Sequence, residues 1–201
     1  AYLLRRAPAK PQALEAQGGR SKSEFAVLLK SPGFLLVAAF VILSTPVTAG
    51  LPAHLINLLR ENQLPEAWVI AIPASIGVIQ LLGRLLLFFF EHHVNVHTAN
   101  RFIPMLMPLA LLALLAAGLL GAGHVGLVLV FVLLYGMGNG MLTIVKGTAM
   151  AEYVNRQHVA ALNGAVGLPL ALVRASAPLA LGALWSAETG YRLGLILLLL
   201  C

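Results

Sequence analysis

The stretch Phe102-Ile103-Pro104-Met105-Leu106-Met107-Pro108-Leu109-Ala110-Leu111-Leu112-Ala113-Leu114-Leu115-Ala116-Ala117-Gly118-Leu119-Leu120-Gly121-Ala122 carries no polar side chain. Roughly 20 apolar residues, at a helical rise of about 1.5 Å each, cross the ~30 Å hydrocarbon core of a bilayer. A strand of this length is out of range, and the alternation of an outer-membrane barrel is missing. The stretch reads as a transmembrane helix, and its bare surface as that of a peripheral, lipid-facing one.

The same signal recurs on both sides of it. Apolar runs cover about residues 34–59, 67–90, 127–150 and 159–185, and a sixth begins near Leu193 and runs to residue 201. The connections are short, so neighbouring spans are antiparallel. Composition agrees. Soluble domains are about 45–50% apolar and about 25% charged; this chain is 60% hydrophobic and 10% charged, with a mean hydropathy of +0.91. The fold class expected is an all-α integral membrane protein with five complete spans and a truncated sixth. The missing initiator Met and the end at Cys201 inside an apolar run read as those of a fragment of a longer protein.

Residues 1–31 differ from the rest and are expected to form a cytoplasmic loop and interfacial segment, with the bundle occupying 32–201. Pro8, Pro11, Gly18 and Gly19 break regular structure, and Ser23 to Lys30 reads as a short interfacial helix. Ser31-Pro32-Gly33 then opens the first span, where Pro suits a first helical turn.

The net charge of +6 would suggest nucleic acid in a soluble protein. Here the bases sit at the ends of apolar runs, so they report topology and no nucleic-acid partner is expected. With the N-terminus inside, the cytoplasmic side holds Arg5, Arg6, Lys10, Arg20, Lys22, Lys30, Arg84, Arg101, Lys146 and Arg156. The outside holds only Arg60 and Arg192, and Arg174 lies within a span. The positive-inside rule therefore puts the N-terminus in the cytoplasm. The single cysteine excludes an internal disulfide.

Polar groups inside spans are costly, so their placement is informative. Tyr135, Asn139, Thr143 and Lys146 are spaced by four, four and three, which places them on one helical face. Gly136 and Gly140 beside them form a Gly-xxx-Gly pair that admits a second helix closely. The stripe reads either as facing water or solute, or as interhelical hydrogen bonding. The first span carries Ser44, Thr45, Thr48, His54 and Asn57, with Pro46 and Pro52 among them. Gly50, His54, Asn57 and Glu61 share a face. A gating helix and a merely bent helix both fit, and His54 reads as a structural histidine or as a proton relay. Pro73, Gly77, Gln80 and Arg84 share a face of the second span, where Arg84 lies close enough to the cytoplasmic end to snorkel.

Arg174 stands near the middle of the fifth span. A cation there costs roughly 2.5–3.5 kcal/mol on insertion scales. Its partner must come from elsewhere in a larger protein, from backbone carbonyls or from an anionic substrate. His92, His93 and His97 read as a solvated cytoplasmic loop rather than a metal site, since no further acidic ligand joins Glu91. No metal and no cofactor is expected.

These residues resemble a known family. Five and a half spans entered from a basic cytoplasmic loop are similar to the C-terminal six-helix half of the 12-helix major facilitator superfamily. Three stretches carry the likeness: Gly50-Leu51-Pro52-Ala53-His54-Leu55-Ile56, Gly77 to Gly83-Arg84, and Tyr135-Gly136-Met137-Gly138-Asn139-Gly140 through Thr148. The chain contains no Asp, so of the family's loop motif only Gly83, Arg84 and Glu91 have counterparts. The resemblance implies a secondary active transporter of a small solute, working by rocker-switch alternating access. The solute classes left open are an organic anion and a drug-like compound. It implies Thr45, Thr48, His54, Asn57, Tyr135, Asn139, Thr143, Lys146 and Arg174 as cavity-lining residues, with Gly77, Gly83 and Arg84 as a gating and loop motif. The implied partners are the N-terminal half of the same polypeptide, the lipid bilayer, a small-molecule substrate and protons. The implied location is the plasma membrane, as a multi-pass protein of a bacterial inner membrane.

An intramembrane enzyme is the first rival. The sequence offers no Gly-x-Ser-x-Gly, no His-Glu-x-x-His and no intramembrane acid pair, so no enzyme activity is expected. A channel or a non-transporting membrane scaffold is the alternative that the residues leave open.

Overall fold

The computed structural model describes residues 25–90, 96–120 and 124–201. They are all-helical, with no strands among the described residues. Residues 25–29 form a short helix, α1. It is followed by α2 (Pro32–Leu43), α3 (Thr45–Glu61), α4 (Glu66–Phe90), α5 (Val96–Phe102), α6 (Leu106–Leu120), α7 (Val125–Tyr153), α8 (Val159–Ala183) and α9 (Arg192–Leu200). Five helical segments are long and apolar enough to cross a membrane: Pro32–Glu61, Glu66–Phe90, Thr98–Leu120, Val125–Tyr153 and Val159–Ala183. The protein is therefore a multi-pass membrane protein.

Two expected spans are subdivided. The first breaks at Ser44, between α2 and α3. Pro46 has no N–H to give the Ile42 carbonyl, so the helical ladder is interrupted there. Hydroxyls cover the neighbouring carbonyls: Ser44 Oγ donates to Phe40 O and Thr45 Oγ1 to Val41 O, each at 2.6 Å. Pro52 and Pro73 lie inside unbroken helices. The stretch at residues 102–122 is cut at its N-terminal end, where Ile103 to Met105 turn between α5 and α6.

α7 is the centre of the bundle. It packs against α4 on one side and α6 on another, while α3 packs against α8, and α9 against α6. Small residues permit the closest crossing, as expected where lipid removes the hydrophobic drive between helices. A Cβ on Gly136 would lie 2.7 Å from Ile79 Cγ2, and one on Gly83 would lie 2.8 Å from Met137 O. At Gly140 it would overlap the Gln80 carbonyl. The Gly-xxx-Gly pair of α7 thus receives α4. One core runs from Leu51 and Leu55 through Ile72 and Ile76 to Phe131 and Leu142; a second joins α2 to the end of α7 and the start of α8 through Phe34, Val37, Met150 and Leu162.

The bare span is not the most exposed one. A third of its most apolar window is buried (33%), against 22% for α4 and 17% for α8. Leu111 and Leu114 of α6 are buried against α7. An absence of polar side chains records only the absence of a wet neighbour. It does not distinguish lipid from an apolar helix face.

Candidate functional site

Thr45 and Thr48 follow the break at Ser44 and share a groove with the polar residues of α7. Together with α8 they enclose a groove of about 380 Å³. Thr45 and Thr48 line it from α3, and Asn139, Thr143 and Lys146 from α7. Arg174 and Asn163 line it from α8, with Val41, Leu142, Met150, Val166 and Leu170 as its apolar floor. Six of the nine residues expected to line a cavity are therefore brought together, from three helices. No carboxylate lines the groove among the described residues. Lys146 and Arg174 line the same groove, from α7 and α8.

The hydrogen bonds inside the groove are unequal. The threonines use their hydroxyl hydrogens on backbone: Thr45 on Val41 O, Thr48 on Thr45 O at 3.2 Å, and Thr143 on Asn139 O at 2.9 Å. Asn139, Lys146, Asn163 and Arg174 make no side-chain hydrogen bond or ion pair with the described residues. The groove thus holds two cations and two amides with their donors free.

The other expected residues lie elsewhere. Tyr135 is 1% exposed, stacks on Phe131 with ring centroids 5.4 Å apart, and donates to Val47 O at 3.3 Å. It fastens α7 to α3 inside the core and does not reach the groove. His54 faces α8: its Nε2 is 2.9 Å from Pro178 O and its Nδ1 2.9 Å from the Tyr191 hydroxyl. Asn57 is exposed on the outside of α3. The face Gly50, His54 and Glu61 is the α3–α8 seam. Gly50 meets Ala177, His54 meets Gly182, and Glu61 takes hydrogen bonds from Trp185 Nε1 at 2.6 Å and Tyr191 N at 3.2 Å.

Gly83 and Arg84 lie within α4, which continues to Phe90, rather than in a loop. Gly83 is the close-approach point under Met137, and Arg84 Nε donates to Gly140 O at 3.4 Å. Gly77 has open space around it. His92, His93 and the His97 side chain lie outside the described residues, as do residues 1–24.

Asn163 is the groove residue that the sequence reading passed over. It precedes Arg174 by eleven residues, three helical turns, so the two share a face of α8. That spacing was a usable signal. Three comparisons bear on the chain's kinship: no family model matches it, and no curated protein and no solved structure is significantly similar to it.

Proposed function

We propose that this chain is the C-terminal half of a major-facilitator-type secondary transporter, moving a small solute by alternating access through the groove between α3, α7 and α8. The observation that carries the reading is the convergence itself. In a chain that is 60% hydrophobic, polar residues of three separate spans meet in one groove, and those of α7 and α8 (Asn139, Lys146, Asn163 and Arg174) leave their donors unsatisfied among the described residues. A scaffold would be expected to spend such groups on interhelical bonds, because an unpaired polar group in hydrocarbon is costly. A solute path needs them free.

Two further features support it. The break at Ser44 lies directly beside Thr45 and Thr48, so motion at the break alters the groove wall. α4 and α8 are the least covered spans, and α8 carries Arg174, which suits helices that pack against an N-terminal half. On this reading that half supplies the second wall, the N-terminus of the chain is cytoplasmic, the protein lies in the plasma membrane of a bacterial cell, and no catalytic chemistry is involved.

Counterflow is the test. The full-length protein is reconstituted in vesicles preloaded with unlabelled solute, and uptake of the labelled solute is followed. A carrier gives a transient overshoot. A channel gives monotonic equilibration, a scaffold gives no uptake, and either result rejects the proposal.

A further inference from the structure

Resting on the transport reading, we infer that the solute is a small organic anion that also carries hydrogen-bond donors: a hydroxy- or amino-substituted carboxylate or phosphate. The argument comes from the polarity of each group facing the groove.

The two charged groups are both cations, Lys146 on α7 and Arg174 on α8, and no carboxylate lines the groove among the described residues. An ammonium and a guanidinium lining one groove with no carboxylate beside them repel. An anion between them turns that repulsion into two charge-assisted contacts, and the planar guanidinium presents a fork suited to carboxylate or phosphate. The amides of Asn139 and Asn163, unbonded within the described residues, provide further donors.

The threonines provide the opposite polarity. Each hydroxyl has one hydrogen. Thr45, Thr48 and Thr143 give theirs to the carbonyls of Val41, Thr45 and Asn139. Thr45 is buried, so the hydroxyls within reach of a solute are those of Thr48 and Thr143, and what they can offer it is lone pairs. They can therefore accept from a solute O–H or N–H and cannot donate to its anionic head. The groove presents donors from α7 and α8 to an anionic head, and acceptors from α3 and Thr143 to a hydroxylated or aminated body. Its size of about 380 Å³ is near the lower end of the roughly 300–1,000 Å³ of small-molecule sites, which suits a metabolite.

The test uses the purified full-length protein in detergent and measures binding by thermal shift and calorimetry. The probes are matched pairs differing in one hydroxyl, malate with succinate and citrate with tricarballylate. Glutamate, glycerol 3-phosphate, a neutral polyol (glucitol) and a quaternary ammonium (choline) complete the set. Anions are expected to bind, and the hydroxylated member of a pair to bind more tightly by roughly tenfold, the worth of one good hydrogen bond. Arg174→Gln and Lys146→Gln should each weaken anion binding at least tenfold, while Arg174→Lys retains part of it. Should Arg174→Gln fail to fold, the wild-type pairs still decide.

Binding of choline or glucitol in preference to every anion overturns the inference. So does the absence of binding by all the anions, as would follow if a carboxylate of the N-terminal half already neutralised the two cations. Equal binding of malate and succinate removes the acceptor half of the argument and overturns the solute class as stated. The transport reading fails separately: an anion that binds as described yet gives no counterflow leaves this inference standing and rejects the carrier, whereas counterflow of a cation does the reverse.

Discussion

The ring of His54 and the ring of Tyr191 lie with centroids 5.2 Å apart, and the Tyr191 hydroxyl is 2.9 Å from His54 Nδ1. The other ring nitrogen, Nε2, lies 2.9 Å from the Pro178 carbonyl, which can only accept, so Nε2 carries a hydrogen. Nδ1 forms the second bond, with the Tyr191 hydroxyl. Both nitrogens are occupied by protein, and the pair joins the C-terminal half of α3 to α8 and to the start of α9. Gly50 against Ala177 and Glu61 against Trp185 extend the same seam. α3 and α8 are thereby joined along one seam.

His54→Phe is expected to lower stability by about 1–3 kcal/mol, because it leaves the Tyr191 hydroxyl and the Pro178 carbonyl without their partner. Tyr191→Phe should cost less, since it removes one partner and leaves Nε2 bonded. The pH dependence of transport should be the same in Tyr191→Phe as in the wild type. Thermal unfolding in detergent and pH profiles of uptake check both. A shifted pH profile in Tyr191→Phe would make His54 a proton carrier rather than a structural residue.

Gly140→Ala should destabilise the bundle by about 1–3 kcal/mol, the usual cost of overpacking, because the added methyl meets backbone of α4 rather than a yielding side chain. Gly77→Ala is the control: nothing lies within 4 Å of its position, and a small gain in stability is expected. Equal thermal stabilities for the two variants would contradict the close α4–α7 crossing.

Glu61→Ala removes the acceptor of Trp185 Nε1 and Tyr191 N. The turn between α8 and α9, closed by a hydrogen-bonded pair at Ser186 and Gly190, should loosen. In a Trp68→Phe background, Trp185 fluorescence should shift to longer wavelength while the groove residues bind as before. Unchanged emission would show that the Glu61 contact does not hold the turn.

How far the sequence anticipates this arrangement depends on the range of the interaction. The spans follow from local hydropathy, and five of them form where roughly 20 apolar residues occur in a row. The stripe Asn139, Thr143 and Lys146 follows from helical spacing, as does the shared face of Asn163 and Arg174. Spacing alone does not separate a groove from a core. Tyr135 has the same periodicity as Asn139 yet lies under α3, because an aromatic ring with one hydroxyl can be buried once that hydroxyl reaches the Val47 carbonyl. His54 finds its partners 124 and 137 residues away, and Arg84 finds Gly140 56 residues away. No local pattern encodes such pairings. The Ser44 break was visible in Pro46, but whether a proline kinks or is absorbed depends on its neighbours, as Pro52 shows by staying inside an intact helix.

Topology offers an independent check. Gln157, between α7 and α8, should be cytoplasmic, and Ala187, between α8 and α9, should be outside. Both are exposed, so single cysteines placed there in a Cys201→Ser background should label from opposite sides. Labelling of both from the same side would contradict the number of spans, and reversed sides would contradict the orientation.

The central claim is that the groove opens alternately to the two sides of the membrane, and accessibility at Thr143 tests it without knowledge of the solute. Thr143 is exposed on α7, lines the groove, and bonds only to the Asn139 carbonyl of its own helix, so Thr143→Cys should be tolerated. With every other cysteine of the full-length protein replaced, Cys201→Ser among them, that protein is treated with a membrane-impermeant maleimide from one side at a time. The account predicts that Cys at position 143 reacts from the outside and, in separate vesicles, from the inside. A residue that reacts from one side only, under every solute condition, would contradict it.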